Sequence, residues 1–133
     1  MATKIFVNLP VQNLERSVSF FSKLGFTFNP QFTDENATCM VIGEDIYSML
    51  LVEKFFQTFT SKKVCDAHKT TEVITTLSTE SRDKVDELVE IAIKAGGKPT
   101  TKQDHGWMYE RGFEDLDGHM WEILYMDENA LIT

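Results

Sequence analysis

Residues 72–97, EVITTLSTESRDKVDELVEIAIKAGG, restate in outline what residues 5–25, IFVNLPVQNLERSVSFFSKLG, have already said: a short β-prone run, an amphipathic helix and a terminating glycine. In the later stretch, residues 72–78 are rich in Val, Ile and Thr, which suit a pleated strand. Ser81 stands where a helix N-cap is needed, and Asp83 suits the first turn. Val85, Leu88, Val89, Ala92 and Ile93 form one apolar stripe, and Gly96-Gly97 stops it. In the earlier stretch, residues 5–11 are the strand and Asn13 is the cap. Leu14, Val18 and Phe21 are the stripe, and Gly25 is the stop.

Outward from these anchors the rest of the chain falls into short strands. Residues 26–32 alternate apolar and polar, with Phe26, Phe28 and Phe32 on one side and Pro30 pointing to an edge or a bulge. Residues 37–42 and 46–52 flank a turn at Gly43-Glu44-Asp45 and read as a hairpin. Residues 57–71, QTFTSKKVCDAHKTT, lose the periodicity and read as a polar linker, with His68 solvated in it. Residues 98–102, 108–113 and 120–126 read as three more strands, and Gly118 supplies the turn between the last two. The order is βαβββ, linker, βαβββ. Ile5 and Val73 lie 68 residues apart, Gly25 and Gly97 72, and Tyr47 and Met120 73. The extra residues between the first two offsets amount to about one helical turn, so the second helix is the longer. Neither half can bury both faces of its sheet alone. The expectation is therefore one α+β domain over residues 1–133: module 1 at about 4–56, linker 57–71 and module 2 at about 72–126, packed around a shared core or cavity.

Charge and composition narrow the function. The chain has 13 Lys plus Arg against 21 Asp plus Glu, a net −8. Such a chain repels phosphate backbones and anionic lipid, so neither nucleic acid nor membrane is an expected partner. No apolar run approaches the ~20 residues of a membrane span. The start, MATKIFVNLPV, has no basic segment followed by an apolar one, and Cys39 and Cys65 form no disulfide framework. A cytoplasmic protein with free thiols is expected.

Two motifs carry a family resemblance. IFVNLPVQNLERS (residues 5–17), with Phe20-Phe21 and Leu24-Gly25-Phe26, resembles the opening of the vicinal oxygen chelate superfamily. That superfamily includes glyoxalase I, bleomycin-resistance and fosfomycin-resistance proteins and extradiol dioxygenases. FEDLDGHMWE (residues 113–122) resembles its closing D-x-D-G-H-x-x-E strand. The resemblance spans about residues 4–126 and implies two βαβββ modules forming a cup-shaped mixed sheet with the ligand inside. In metal-dependent members four side chains hold one divalent ion. Here the closing-strand position matches Glu122. The first-strand position falls on Phe6, with Asn8 its neighbour on the same face, the fourth-strand position on Met49, and the fifth near Ile74 or Thr76. Phe, Met and Ile cannot bind a hard or borderline cation, so no cofactor is expected. The resemblance also implies a homodimer, which would bury the Phe26, Phe28 and Phe32 face.

The candidate site residues follow. Alternation places Met120, Glu122, Leu124 and Met126 on one face of the last strand, and a carboxylate in that company suits a ligand, an anchor or a general acid or base. His119 falls on the opposite face from Glu122 and is expected to be structural. His105, beside Gly106 and Trp107, is a candidate catalytic base or ligand-gripping donor. The expected pocket is Phe6, Asn8, Met49, Trp107, Tyr109 and Glu122. The leading expectation is a protein that binds a small, partly aromatic molecule without the family metal. The alternatives are a metal-dependent lyase or dioxygenase with an atypical ligand set, and a metal-free acid/base enzyme using Glu122 or His105.

Overall fold

The computed structural model describes residues 2–131. The chain divides into two compact units between Cys65 and Asp66. In the first, β1 (Ile5–Val11) is followed by α1 (Leu14–Lys23), β2 (Thr27–Asn29), β3 (Ala37–Gly43) and β4 (Ile46–Val52). β1 runs parallel to β4, the other pairs are antiparallel, and the sheet order is β1-β4-β3-β2. Asn13 caps α1 as expected, its side chain accepting from Arg16 N at 3.0 Å. Gly25, at φ 95°, closes the helix in a conformation other residues avoid. Ser17, Phe20 and Phe21 are buried on α1, and Ser48 and Leu50 are buried on β4, which the helix contacts. Burying each such large apolar side chain stabilises the unit by about 1.5–3 kcal/mol.

Two local departures have simple causes. The strand expected over 26–32 stops at Asn29, because Pro30 fits the first position of a 3₁₀ turn over Pro30–Phe32. Asn29 caps that turn, its side chain accepting from Gln31 N at 3.0 Å. The region read as featureless linker from residue 57 begins with structure. α2 (Glu53–Phe56) runs into a 3₁₀ turn over Gln57–Phe59, with the Phe55 and Phe59 rings edge to face at 5.1 Å. Gln57 Nε2 donates to the backbone oxygens of Thr60 and Lys62 at 2.9 and 2.8 Å and ties this segment down.

The second unit repeats the plan. β5 (Ile74–Ser78), α3 (Arg82–Lys94), β6 (Lys98–Asp104), β7 (Met108–Glu114) and β8 (Met120–Met126) form the order β5-β8-β7-β6, with β5 parallel to β8. Ser81 caps α3, accepting from Lys84 N at 3.0 Å. Val85, Val89 and Ala92, spaced to share one helical face, are wholly buried, and α3 contacts β7 and β8. The two βαβββ modules read from the repeat are both present, and the fold is α+β. The closing turn is built on Asp115, which is buried. Its carboxylate accepts from Asp117 N at 2.9 Å, His119 N at 3.0 Å and Trp121 Nε1 at 2.9 Å. Burial nonetheless pushes that carboxyl above its ordinary value, with His119 the largest opposing influence. His68 is exposed but not adrift. A Cβ on Gly118 would stand 2.7 Å from His68 N and 2.8 Å from its Nδ1, so this turn seats residues 66–70 only because it carries glycine.

Candidate functional site

Strand register decides which side chains share a face. In module 1, Phe6 pairs with Tyr47, Asn8 with Met49, and Pro10 with Leu51. All six therefore lie on the face opposite the one that buries Ser48 and Leu50. The Phe6 and Tyr47 rings stack at 4.8 Å and 13°. A cavity of about 300 Å³ opens on this face, lined by Asn8, Leu51, Phe56, Phe59 and Thr60. Thus the structure brings three expected pocket residues, Phe6, Asn8 and Met49, onto one surface. Phe59 and Thr60, expected in the linker, belong to module 1.

In module 2, Glu122 pairs with Thr76 on β5 and with Gly112 on β7. Its Oε1 accepts from Thr76 Oγ1 at 3.1 Å and its Oε2 from Thr101 Oγ1 at 3.3 Å. Thr101 reaches because β6 shifts register between Pro99 and Lys102 and because Gly112 lacks a side chain. A Cβ on Gly112 would stand 2.3 Å from Thr100 Oγ1 and 2.9 Å from Thr101 Oγ1. Glu110, two residues from Gly112, shares this face. Burial first, and then the charge of Glu122, lift the Glu110 carboxyl above its ordinary value, with His105 partly offsetting both.

The remaining candidates separate. His105 lies in the exposed turn between β6 and β7, its Nε2 3.2 Å from Gln103 Oε1. The Trp107 ring stands 6.5 Å from it, exposed. Tyr109 corrects the expected pocket. Its register partner is Tyr125, so it points to the α3 side, where its hydroxyl donates to Asp86 Oδ1 at 2.5 Å. The Arg82 guanidinium covers its ring at 4.4 Å and pairs with Asp104. Arg111 donates to Asp86 at 3.0 Å and Glu90 at 2.8 Å. The Tyr109 hydroxyl holds the Asp86 carboxyl below its ordinary value, and burial raises Tyr109 itself. Tyr109 is thus part of the joint between sheet and helix and faces away from Glu122.

Sequence reading missed Glu110, Thr101, Tyr47 and the Phe56 and Phe59 side of the cavity. Glu110 could have been found by carrying the Glu122 face across the hairpin. The ion that metal-dependent members of the resembling family hold does not fit the residues present. At the places the resemblance assigns stand Phe6 with Asn8, Met49, Ile74 or Thr76, and Glu122, and that one carboxylate already accepts from two hydroxyls. Among the described residues no group of three or more His, Cys, Asp or Glu side chains is placed so that it could hold a metal ion.

Comparison with known proteins agrees with this architecture. The bleomycin resistance protein-like N-terminal family matches residues 3–43. A hypothetical protein from S. aureus superposes with a TM-score of 0.80 at 29% identity, over 94% of both chains. A glyoxalase/bleomycin resistance protein/dioxygenase family enzyme from Burkholderia phytofirmans gives 0.78 at 14% identity, over 94% of this chain and 99% of that one. A fosfomycin resistance protein from Listeria monocytogenes gives 0.67 at 15% identity, over 94% and 93%. No curated protein matches the chain by sequence.

Proposed function

We propose that this glyoxalase/bleomycin-resistance-like protein of the vicinal oxygen chelate superfamily binds a small, partly aromatic molecule without a resident metal ion. The observation that carries the proposal is the module 1 cavity. Its volume of about 300 Å³ sits at the lower end of small-molecule sites, and its lining is mostly apolar with a few polar groups. Phe56 and Phe59 offer ring faces and edges to a flat ligand, with Leu51 beneath and Asn8 and Thr60 as polar contacts. The stacked Phe6 and Tyr47 extend the aromatic surface along the same strands. The protein would do this in the cytosol, where Cys39 and Cys65 stay thiols.

Fluorescence titration with prodan, a neutral naphthalene dye, tests the cavity. Saturable binding of one dye per chain is expected, weakened at least about tenfold when Phe56 and Phe59 are both replaced by Ala. A signal that never saturates, or one the double variant leaves unchanged, defeats the proposal. Elemental analysis tests the metal-free part. Protein purified without added metal should hold well under one divalent ion per chain. One bound ion per chain that Glu122→Gln removes overturns it.

A second reading, acid–base chemistry on module 2, is favoured by one observation. Glu110 and Glu122 share a face, and Glu110 holds a proton more readily than an ordinary glutamate. Its signature would be turnover lost in both Glu110→Gln and Glu122→Gln. Turnover retained in either variant removes the pair from the chemistry.

A further inference from the structure

We infer that Asn8 selects the ligand of the module 1 cavity, and that this ligand is a neutral, flat molecule with a hydrogen-bond donor beside an acceptor on one edge, as in a lactam or a primary carboxamide. The inference rests on the cavity proposed above and deepens it.

Asn is disfavoured in strands, yet Asn8 sits in the middle of β1 with Phe6, Met49 and Leu51 as its neighbours on that face. Its side chain is exposed on that face, open to a ligand. Among the described residues no hydrogen bond or ion pair reaches its carboxamide. The internal repeat sharpens the contrast. Thr76 lies 68 residues after Asn8, the offset that also relates the two first strands, and pairs with Glu122 where Asn8 pairs with Met49. Thr76 donates its hydroxyl proton to Glu122. Asn8 faces a thioether, a weak acceptor with no donor to offer. The module 2 position is occupied with holding a carboxylate. The module 1 position keeps a donor and an acceptor side by side at the cavity.

The lining fixes the charge of the ligand. None of Asn8, Leu51, Phe56, Phe59 and Thr60 is ionisable, in a chain of net charge −8. A carboxylate or phosphate bound there would find no cation among these five side chains, and an ammonium no anion, so the lining gives a charged group no partner that a neutral one lacks. A carboxamide instead pairs with a lactam or amide edge through two parallel hydrogen bonds, as Asn does with the adenine edge. Thr60 adds one more donor, because its Oγ1 accepts from Lys62 N at 3.1 Å and keeps its own proton for another acceptor.

Matched probes decide the matter by chemical-shift titration of the isotope-labelled full chain. 2-Quinolone carries the donor–acceptor edge, and N-methyl-2-quinolone has the same shape with the donor blocked. Wild type should bind 2-quinolone about tenfold or more tightly than its N-methyl form, because the blocked form leaves the Asn8 oxygen unpaired. Asn8→Leu should bring the two within about twofold. Asn8→Asp, which keeps only acceptors, should turn the preference to ring-protonated 2-aminoquinoline, whose edge then presents two donors. Equal affinities in wild type, with shifts at Leu51 and Phe56, overturn the role of Asn8 while leaving the cavity standing. No shift at those residues from any probe overturns the cavity and the inference together. A preference that survives in both variants also overturns the role of Asn8.

Discussion

Tyr109 shows how one hydroxyl can serve structure where an aromatic side chain had suggested a binding surface. Its proton goes to Asp86, whose carboxyl is held below the ordinary value of 3.8 chiefly by that bond. A carboxyl depressed by folding contributes stability that is present above the unfolded value and is lost as pH falls through the lower folded one. Tyr109→Phe should therefore destabilise the protein at neutral pH, and the difference from wild type should shrink below about pH 4. Urea unfolding at pH 7 and pH 3 measures it, and a difference that grows toward acid contradicts this account. Asp115 has the opposite sign. Its carboxyl is raised by burial, so its ionisation costs stability as pH rises above 3.8, even though three donors point at it. Asp115→Asn removes that charge but turns an amide N–H₂ toward one of those donors. The expected net loss at neutral pH is about 1–3 kcal/mol, read as a lower urea midpoint. An unchanged midpoint would mean that the donors had found other partners.

Strand alternation made Glu122 legible at the level of elements, because Met120 to Met126 is a regular strand and its phase needs no partner. Tyr109 was not legible for the converse reason. β7 alternates aromatic or basic residues with Glu110 and Gly112, and only its pairing with β8 says that the glutamate and glycine face is the one shared with Glu122. The α2 segment was hidden by composition: Gln57, Thr58 and Thr60 read as loop, while Phe55, Phe56 and Phe59 recur at helical spacing over little more than a turn. The seat of residues 66–70 was invisible too, since nothing in KKVCDAHKTT names Gly118 as its neighbour. Gly118 has φ +85°, and a side chain there meets both the conformational penalty, about 1–2 kcal/mol, and the backbone of Ala67 and His68. Gly118→Ala should lower the unfolding midpoint and bring proteolytic cutting near residues 66–70 forward in time. Unchanged cutting kinetics would show that the segment is held by other means.

At the scale of the whole molecule the α+β class and the two βαβββ modules followed from spacing alone, whereas the ligand did not. Assembly is a matter for measurement. The homodimer expected from the resemblance keeps a physical motive in Phe32, Ile5, Phe6 and Ile46, all of them exposed in the single chain. Light scattering at tens of micromolar protein should give about twice 15.2 kDa, and a monomer mass refutes it. The matched pairs Asn8–Met49 and Thr76–Glu122 carry a consequence of another kind. A scaffold written twice in one chain lets each copy be edited while the other keeps its chemistry, so new specificities can be tried in one half without forfeiting the inheritance of the other.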